Sequence, residues 1–180
     1  FPLYPTIASL EILKNGGDHW LHYPEQDSWV GVMPRYGKVE EIRWFKGPKG
    51  VSCYHMLNAH EDRQGLIQFD QCLSDSNAFP FIRKASGIEL RTDQLNSRLA
   101  RWTIDFNATA TERVIRESVI GPPGDFPLIP ASKQGRGFDY AWLLTMNPET
   151  LPPKTQGALV AGGPVGLMFN LLLRLDFNGQ

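Results

Sequence analysis

The sequence has few cysteines, and this scarcity limits both its fold and its location. Cys53 and Cys72 are the only two cysteines in 180 residues, and no C-x-x-C pair occurs. Each lies in an apolar, strand-like run, which favours buried free thiols in a reducing compartment over a disulfide or a reactive thiol. We therefore expect a cytoplasmic protein whose fold does not depend on covalent cross-links.

An excess of positive charge, a leader and a long uninterrupted apolar run are also missing. The formal net charge is −1, so the clustered basic face that binding to nucleic acid requires is not expected. No basic region followed by an apolar stretch opens the chain, as a signal peptide would. The most apolar segment, 157–177, is interrupted by Pro164, Asn170 and Arg174, and we expect no transmembrane helix there.

Long amphipathic helices are absent from the pattern, and 17 glycines and 14 prolines divide the chain into short runs. Residues 9–17 could form one short helix that ends at Gly16. The other runs are rich in β-branched and aromatic residues, and turn-rich links such as "GPPGDFP" join them. The strands predicted from these runs are 28–35, 40–46, 51–58, 65–73, 98–106, 111–119, 139–146 and about 165–177. Regular short strands predict an all-β sandwich, barrel or propeller.

A faint internal repeat favours the propeller among these folds. The segments "LARWTIDFNAT" (99–109) and "LLLRLDFNGQ" (171–180) share a hydrophobic-Asp-Phe-Asn ending around Asp105 and Asp176. Such self-similarity predicts related hairpins in different blades. The chain begins with Phe1 rather than Met and stops at the turn-forming pair Asn178-Gly179. From these features we expect residues 1–180 to be an internal segment of one larger β-propeller domain.

Three of the four histidines have an unremarkable sequence context. His19 and His22 form an H-x-x-H pair between two glycines and a proline, where we expect a solvated loop rather than a metal site. His60 follows the predicted strand 51–58 among charged residues, so we expect it to be exposed.

His55 lies in the middle of a predicted strand. Strict alternation places Val51, Cys53, His55 and Leu57 on one mostly apolar face. Alternation alone favours a core histidine over a metal ligand, and it leaves both interpretations open.

The run "FKGPKGVSCYHMLNAHED" followed by "GLIQFDQCL" resembles a signature of the carotenoid cleavage oxygenases, the retinal pigment epithelial membrane protein family. In that family a histidine followed by x-x-Asn-Ala-x-Glu lies on an inner propeller strand and binds iron. The later segments "RLARWTIDFNATATERVI" and "GDFPLIPASKQGRGFDYAWLL" resemble the same family. "VGVMPRYG" and "RWFKGPKGVSCYHM" are most similar to its lignostilbene dioxygenase branch.

The resemblance implies a seven-bladed propeller that holds Fe(II) with four histidines and cleaves a carbon–carbon double bond with O2. His55 matches one iron ligand, and Asp125 in "GDFP" matches a carboxylate that hydrogen-bonds a ligand imidazole. Asp125 is one methylene shorter than the family's usual glutamate. It therefore needs a closer backbone or a bridging water. Glu61 matches an acidic position that we expect to hold the turn after the strand.

The substrate implied by the resemblance is an apolar aromatic or polyene molecule such as a stilbene. Phe79 and Phe81 in "SNAFPFIR" could line a tunnel for it, or equally could be core aromatics. The other three iron histidines fall outside the matched residues. We therefore expect no tight iron site and no turnover from this chain alone, and we expect its sheet edges to promote self-association.

The sequence leaves two other function classes open. A non-catalytic propeller or β-sandwich scaffold would suit the single well-placed histidine. A hydrolase using Glu61 and Asp62 is disfavoured because adjacent residues of a strand point to opposite faces and make a poor acid–base pair.

Overall fold

The fold is all-β. The computed structural model describes residues 1–18, 20–75, the backbone of 83–84, 97–145, 147 and 169–177. The strands in this part of the chain are β1 Pro2–Leu3, β2 Thr6–Ala8, β3 Trp20–His22, β4 Asp27–Val32, β5 Arg43–Lys49, β6 Ser52–Glu61, β7 Ile67–Ser74, β8 Arg83–Lys84, β9 Ser97–Ile104, β10 Arg116–Gly121, β11 Asp125–Leu128, β12 Tyr140–Thr145 and β13 Leu171–Asp176. One short helix, α1 Leu10–Lys14, and two 3-10 turns, Val39–Glu41 and Ala131–Lys133, accompany them.

The strands form three antiparallel sheets and one small mixed sheet. Sheet A has the order β1-β4-β5, sheet B the order β10-β9-β7-β6 and sheet C the order β11-β12-β13. The small sheet, β2-β3-β8, contains a parallel pair between β3 and β8. Two of the outer strands, β6 of sheet B and β11 of sheet C, lie against each other without sharing a ladder.

Sheet B is covered on both faces, which makes it the centre of the described structure. Its strand β7 is buried along nearly its whole length, as expected for a strand between two packed layers. One face packs on sheet A through Val30, Phe45, Val51, Phe69, Leu73, Ala100, Trp102, Ile104 and Ile115. The other face packs on sheet C through Leu57, Cys72, Leu99, Ile129, Ala141, Leu143 and Phe177. Successive antiparallel sheets that pack face to face are consistent with neighbouring blades of a partial β-propeller.

The interface between sheets B and C also contains a buried ion pair. The Arg101 guanidinium donates two hydrogen bonds to the Asp70 carboxylate, at 2.7 and 2.8 Å, from the directly opposed position on β9. Asp70 is fully buried, and its hydrogen bonds raise the pKa of Arg101. The pair therefore lies inside the interface, where each group compensates the charge of the other.

The main sequence predictions are confirmed, with shifts at the ends of elements. Eight predicted strands correspond to β4, β5, β6, β7, β9, β10, β12 and β13, and the predicted helix is α1, capped by the Ser9 hydroxyl. The two repeat segments lie in different sheets. Phe106 packs against the core between sheets A and B, and Phe177 lies in the core between sheets B and C. The prediction that "GPPGDFP" is only a link is wrong, because Asp125–Leu128 pairs with β12 as strand β11.

No helix among the described residues is long and apolar enough to cross a membrane. Cys53 and Cys72 are free thiols, as expected.

Replacing Asp70 with alanine should lower the free energy of unfolding by about 3 kcal/mol, because Arg101, whose side chain is only 20% exposed, would lose the carboxylate bonded to it. Urea denaturation measures this loss. The control is Asp27→Ala, which breaks the 2.9 Å pair with Lys46, whose side chain is 47% exposed. That change should cost less than about 1 kcal/mol. Equal losses would show that the pair at Asp70 contributes no more than an exposed one.

Candidate functional site

Strand β6 carries two β-bulges around His55, and they decide where its side chain points. Cys53 pairs with Leu73 and Met56 with Gln71, so Tyr54 and His55 together oppose Cys72. A second irregularity follows between Met56 and Asn58. Bulges interrupt the alternation of a strand and redirect side chains, and they are common beside active sites.

The bulges overturn the predicted face of this strand. Val51 packs toward sheet A, whereas Leu57 packs toward sheet C, so the expected shared face is wrong. His55 is not a core residue, because its side chain is 46% exposed. The redirected ring lies beside the first residue of β11.

Asp125 makes a direct hydrogen bond to His55. The Nδ1 and Oδ1 atoms are 3.0 Å apart, and the Asp125 side chain is largely shielded from solvent. An ionised carboxylate can only accept, so Nδ1 carries the proton and Nε2 of a neutral ring keeps its lone pair. No bridging water is needed despite the short aspartate side chain. The arrangement can orient an imidazole whose Nε2 is available to a metal or a proton donor.

Phe126 contacts the same histidine through an unusual backbone conformation. Its φ of 51° lies in the left-handed region, which is rare for an aromatic residue. Consecutive strand residues normally point to opposite faces, but here both Asp125 and Phe126 reach His55. The Phe126 ring centroid lies 4.7 Å from that of His55 and 5.9 Å from that of Phe169. The exposed imidazole therefore has an apolar aromatic neighbour on one side.

The turn before Asp125 is held tightly against β12. The Thr145 hydroxyl donates a 2.6 Å hydrogen bond to the Pro123 carbonyl. A Cβ at Gly124 would lie 2.5 Å from the Leu144 carbonyl oxygen and 2.7 Å from the Leu143 side chain. Only glycine allows this close approach, and the approach fixes the start of β11.

Two thiols and one phenol near His55 have raised pKa values. The Cys53 thiol donates to the His55 carbonyl over 3.4 Å, and burial raises the pKa of that thiol to about 12. Burial raises the pKa of Cys72 and of Tyr54 as well, and the nearby Asp125 charge adds to both shifts. These groups therefore stay protonated near neutral pH and add no second anion beside the carboxylate.

His22 and His60, the other histidines that the structure describes, do not join His55. His22 is fully buried in β3, with Nδ1 2.9 Å from the Thr6 hydroxyl, so the expected solvated loop is wrong at this residue. His60 lies within β6, half-buried against the Phe138 ring, rather than exposed beyond the strand. Burial lowers its pKa, against the opposing effect of Asp70. His19 lies outside the described residues.

Two further expectations have different outcomes. The turn after β6 is held by Asp62, whose carboxylate accepts from the Gln64 and Leu66 backbone, a role we had expected of Glu61. Phe79 and Phe81 lie outside the described residues, so their place at a substrate cleft stays a prediction. Phe126 and Phe169 were not among the predicted site residues; the aromatic residue inside "GDFP" was the available signal for the first of them.

The donor set fits a metal only in part. Among the described residues, no group of three or more His, Cys, Asp or Glu side chains could hold a metal ion. His55 has its Nδ1 anchored by the Asp125 carboxylate, which leaves Nε2 as the nitrogen that could bind a metal. This is what one ligand of a multi-histidine site requires, and it is one ligand only.

Replacing Gly124 with alanine should lower the free energy of unfolding by about 1 to 3 kcal/mol, because the new methyl group overlaps the β12 backbone. Chemical denaturation measures the loss. The control is Gly137→Ala on the β11–β12 connection, where a Cβ meets nothing within 4 Å. It should change stability by less than about 0.5 kcal/mol. A neutral Gly124 variant would mean that β11 is not fixed by this contact.

Comparison with known proteins places these features in a family. Residues 1–180 match the family model described as retinal pigment epithelial membrane protein. A lignostilbene-alpha,beta-dioxygenase isozyme of Sphingomonas paucimobilis is 30% identical over 151 residues, which are 83% of this chain and 31% of that protein. Resveratrol cleavage oxygenase 1 of Aspergillus fumigatus is 36% identical over 109 residues, or 60% of this chain and 22% of that protein.

A solved structure agrees with the sequence matches. The crystal structure of Pseudomonas brassicacearum lignostilbene dioxygenase superposes with a TM-score of 0.84 at 31% identity, covering 98% of this chain and 35% of that one. This chain thus spans about a third or less of the length of these relatives. On the match over its whole length, the chain belongs to the retinal pigment epithelial membrane protein family, the carotenoid cleavage oxygenases.

Proposed function

We propose that residues 1–180 are an internal segment of a propeller dioxygenase that cleaves a carbon–carbon double bond with O2 to give two carbonyl products. The observation that carries the proposal is the His55–Asp125 hydrogen bond at 3.0 Å, on the motif that resembles the family's iron-binding strand. The substrate class is an apolar stilbene, or a related polyene. The relatives named for lignostilbene and resveratrol cleavage support this choice.

His55 is proposed as one of four histidine ligands of Fe(II), with the other three outside these residues. Its Nε2 would bind the metal while Nδ1–H donates to Asp125. When bound, Fe(II) supplies the activation of O2 that cleavage of the double bond requires. Imidazole is a suitable ligand for iron, and four neutral ligands leave its charge uncompensated. The Asp125 carboxylate offsets part of that charge and prevents the ring from changing tautomer.

Phe126 and Phe169 are proposed to shield the ligand and to offer an aromatic wall to the substrate. The Phe126 ring covers one side of His55 and is itself 48% exposed. An exposed aromatic ring beside a metal ligand can pack on a planar apolar substrate and keep water from it. Phe79 and Phe81 stay candidates for the same cleft.

Replacing His55 with alanine in the whole protein should abolish stoichiometric iron binding and O2-dependent aldehyde release from a hydroxystilbene. Asp125→Ala should weaken iron affinity by about 10- to 100-fold, since the ligand loses the partner that orients it. Iron content and product release by chromatography measure both effects. The control is His60→Ala, whose half-buried ring lies elsewhere on β6. Full iron content and activity in the His55 variant would refute the assignment.

This chain by itself is proposed to be inactive and to self-associate, in a cytoplasmic setting that keeps Cys53 and Cys72 reduced. Exposed leucines and a valine lie on three outer strands, at Val119, Leu128, Leu171 and Leu172. Unpaired outer strands with apolar side chains pair readily with other copies.

Size-exclusion chromatography with light scattering should therefore show dimers or larger species of the isolated chain. Leu172→Lys should shift the distribution toward monomer, because a charge on β13 opposes edge pairing. The control is Arg174→Lys on the same strand, which keeps the charge. A monomer at every concentration would contradict the proposal.

A further inference from the structure

Asn58 joins the strand that carries His55 to the segment that carries Asp125. Its side-chain Nδ2 donates to the Arg136 carbonyl at 2.8 Å, and its Oδ1 accepts from the Gly135 amide at 2.9 Å. Asn58 itself is buried. A buried primary amide with both ends bonded to backbone has one orientation, so it can act as a rigid link between two segments.

The link spans a gap that no backbone ladder crosses. Strand β6 is an outer strand of sheet B and β11 an outer strand of sheet C. The His55–Asp125 contact lies at one end of this gap, and Asn58 with its two partners lies three residues further along β6. Without a ladder, the separation of the two strands depends on side-chain contacts and core packing.

The connection between Asp125 and Gly135 is anchored by a buried side chain and by backbone hydrogen bonds. Ile129 is buried in the core between sheets B and C. The 3-10 turn Ala131–Lys133 follows, with Lys133 bonded to the Pro130 carbonyl and Arg136 to the Lys133 carbonyl. These contacts hold the connection at several points, so we expect a displacement of Gly135 to be passed on toward β11.

The short side chain of Asp125 makes this spacing critical. A carboxylate on a shorter stem reaches an imidazole directly only if the two backbones are close, and here it does so at 3.0 Å. A shift of about 1 Å between β6 and β11 would break the hydrogen bond. A glutamate could keep the hydrogen bond after such a shift, because its extra methylene adds one rotatable bond.

We infer that Asn58 is a positioning residue: its amide sets the spacing between β6 and the 125–136 segment that allows Asp125 to hold the His55 ring. The inference rests on the proposed function for its connection to iron. The two hydrogen bonds of Asn58, however, are present in the metal-free chain. Asn58 acts through Asp125 and need not touch metal or substrate.

The experiment compares Asn58→Leu and Asn58→Asp with Gln68→Leu in the whole protein. Gln68 is a matched control because it is another buried amide of sheet B, bonded to Asp62 and to Thr103, away from Asp125. Asn58→Asp keeps an acceptor for Gly135 N–H but places an oxygen against the Arg136 carbonyl. Asn58→Asp also provides the test if Asn58→Leu does not fold.

Fe(II) affinity is measured by chelator competition, and amide exchange of residues 125–136 is measured on metal-free protein by mass spectrometry. Both Asn58 variants should lose about tenfold in Fe(II) affinity, the lower end of the range for a group that orients a ligand. Both should also exchange faster over 125–136. Gln68→Leu should lower unfolding stability without changing either readout.

Wild-type affinity and exchange in the Asn58 variants would overturn the inference, and so would an equal loss in Gln68→Leu. Iron retained by His55→Ala would instead defeat the proposed function. In that case amide exchange of the metal-free protein still decides whether Asn58 holds residues 125–136 in place.

Discussion

The site depends on a side-chain contact between two outer strands that share no ladder. Strand β6 presents His55 and strand β11 presents Asp125, and each belongs to a different sheet. A ladder would fix the spacing of two strands by backbone geometry, but across this gap packing and side-chain bonds must do so. The core formed by Leu57, Ile129 and Leu143 and the amide of Asn58 provide this restraint.

Both strands that meet at this gap depart from regular strand geometry. The bulge opposite Cys72 turns His55 out of the core of sheet B, and the left-handed residue Phe126 lets two consecutive side chains of β11 face it. Each feature departs from regular strand geometry, and such departures concentrate at functional sites where the surrounding structure can hold them. Sheet B supplies that support through its two packed faces and the buried pair of Asp70 and Arg101.

The electrostatic character of the site follows from the same packing. Burial keeps the Cys53 and Cys72 thiols protonated, so the carboxylate of Asp125 is the acidic group in contact with the imidazole. A neutral ring with one nitrogen anchored and the other free is the form in which histidine binds iron. The aromatic ring of Phe126 adds an apolar surface next to it.

The sequence by itself determined the all-β class, most of the strands, the short helix and the family, because periodicity, turn residues and the motif around His55 are local signals. It did not determine the face of His55, since a bulge depends on the register of the partner strand. The partial burial of His60 also required tertiary structure, because the Phe138 ring that packs against it is distant along the chain. The contact with Asp125 was decided by the packing of two sheets, which brings together residues 70 positions apart.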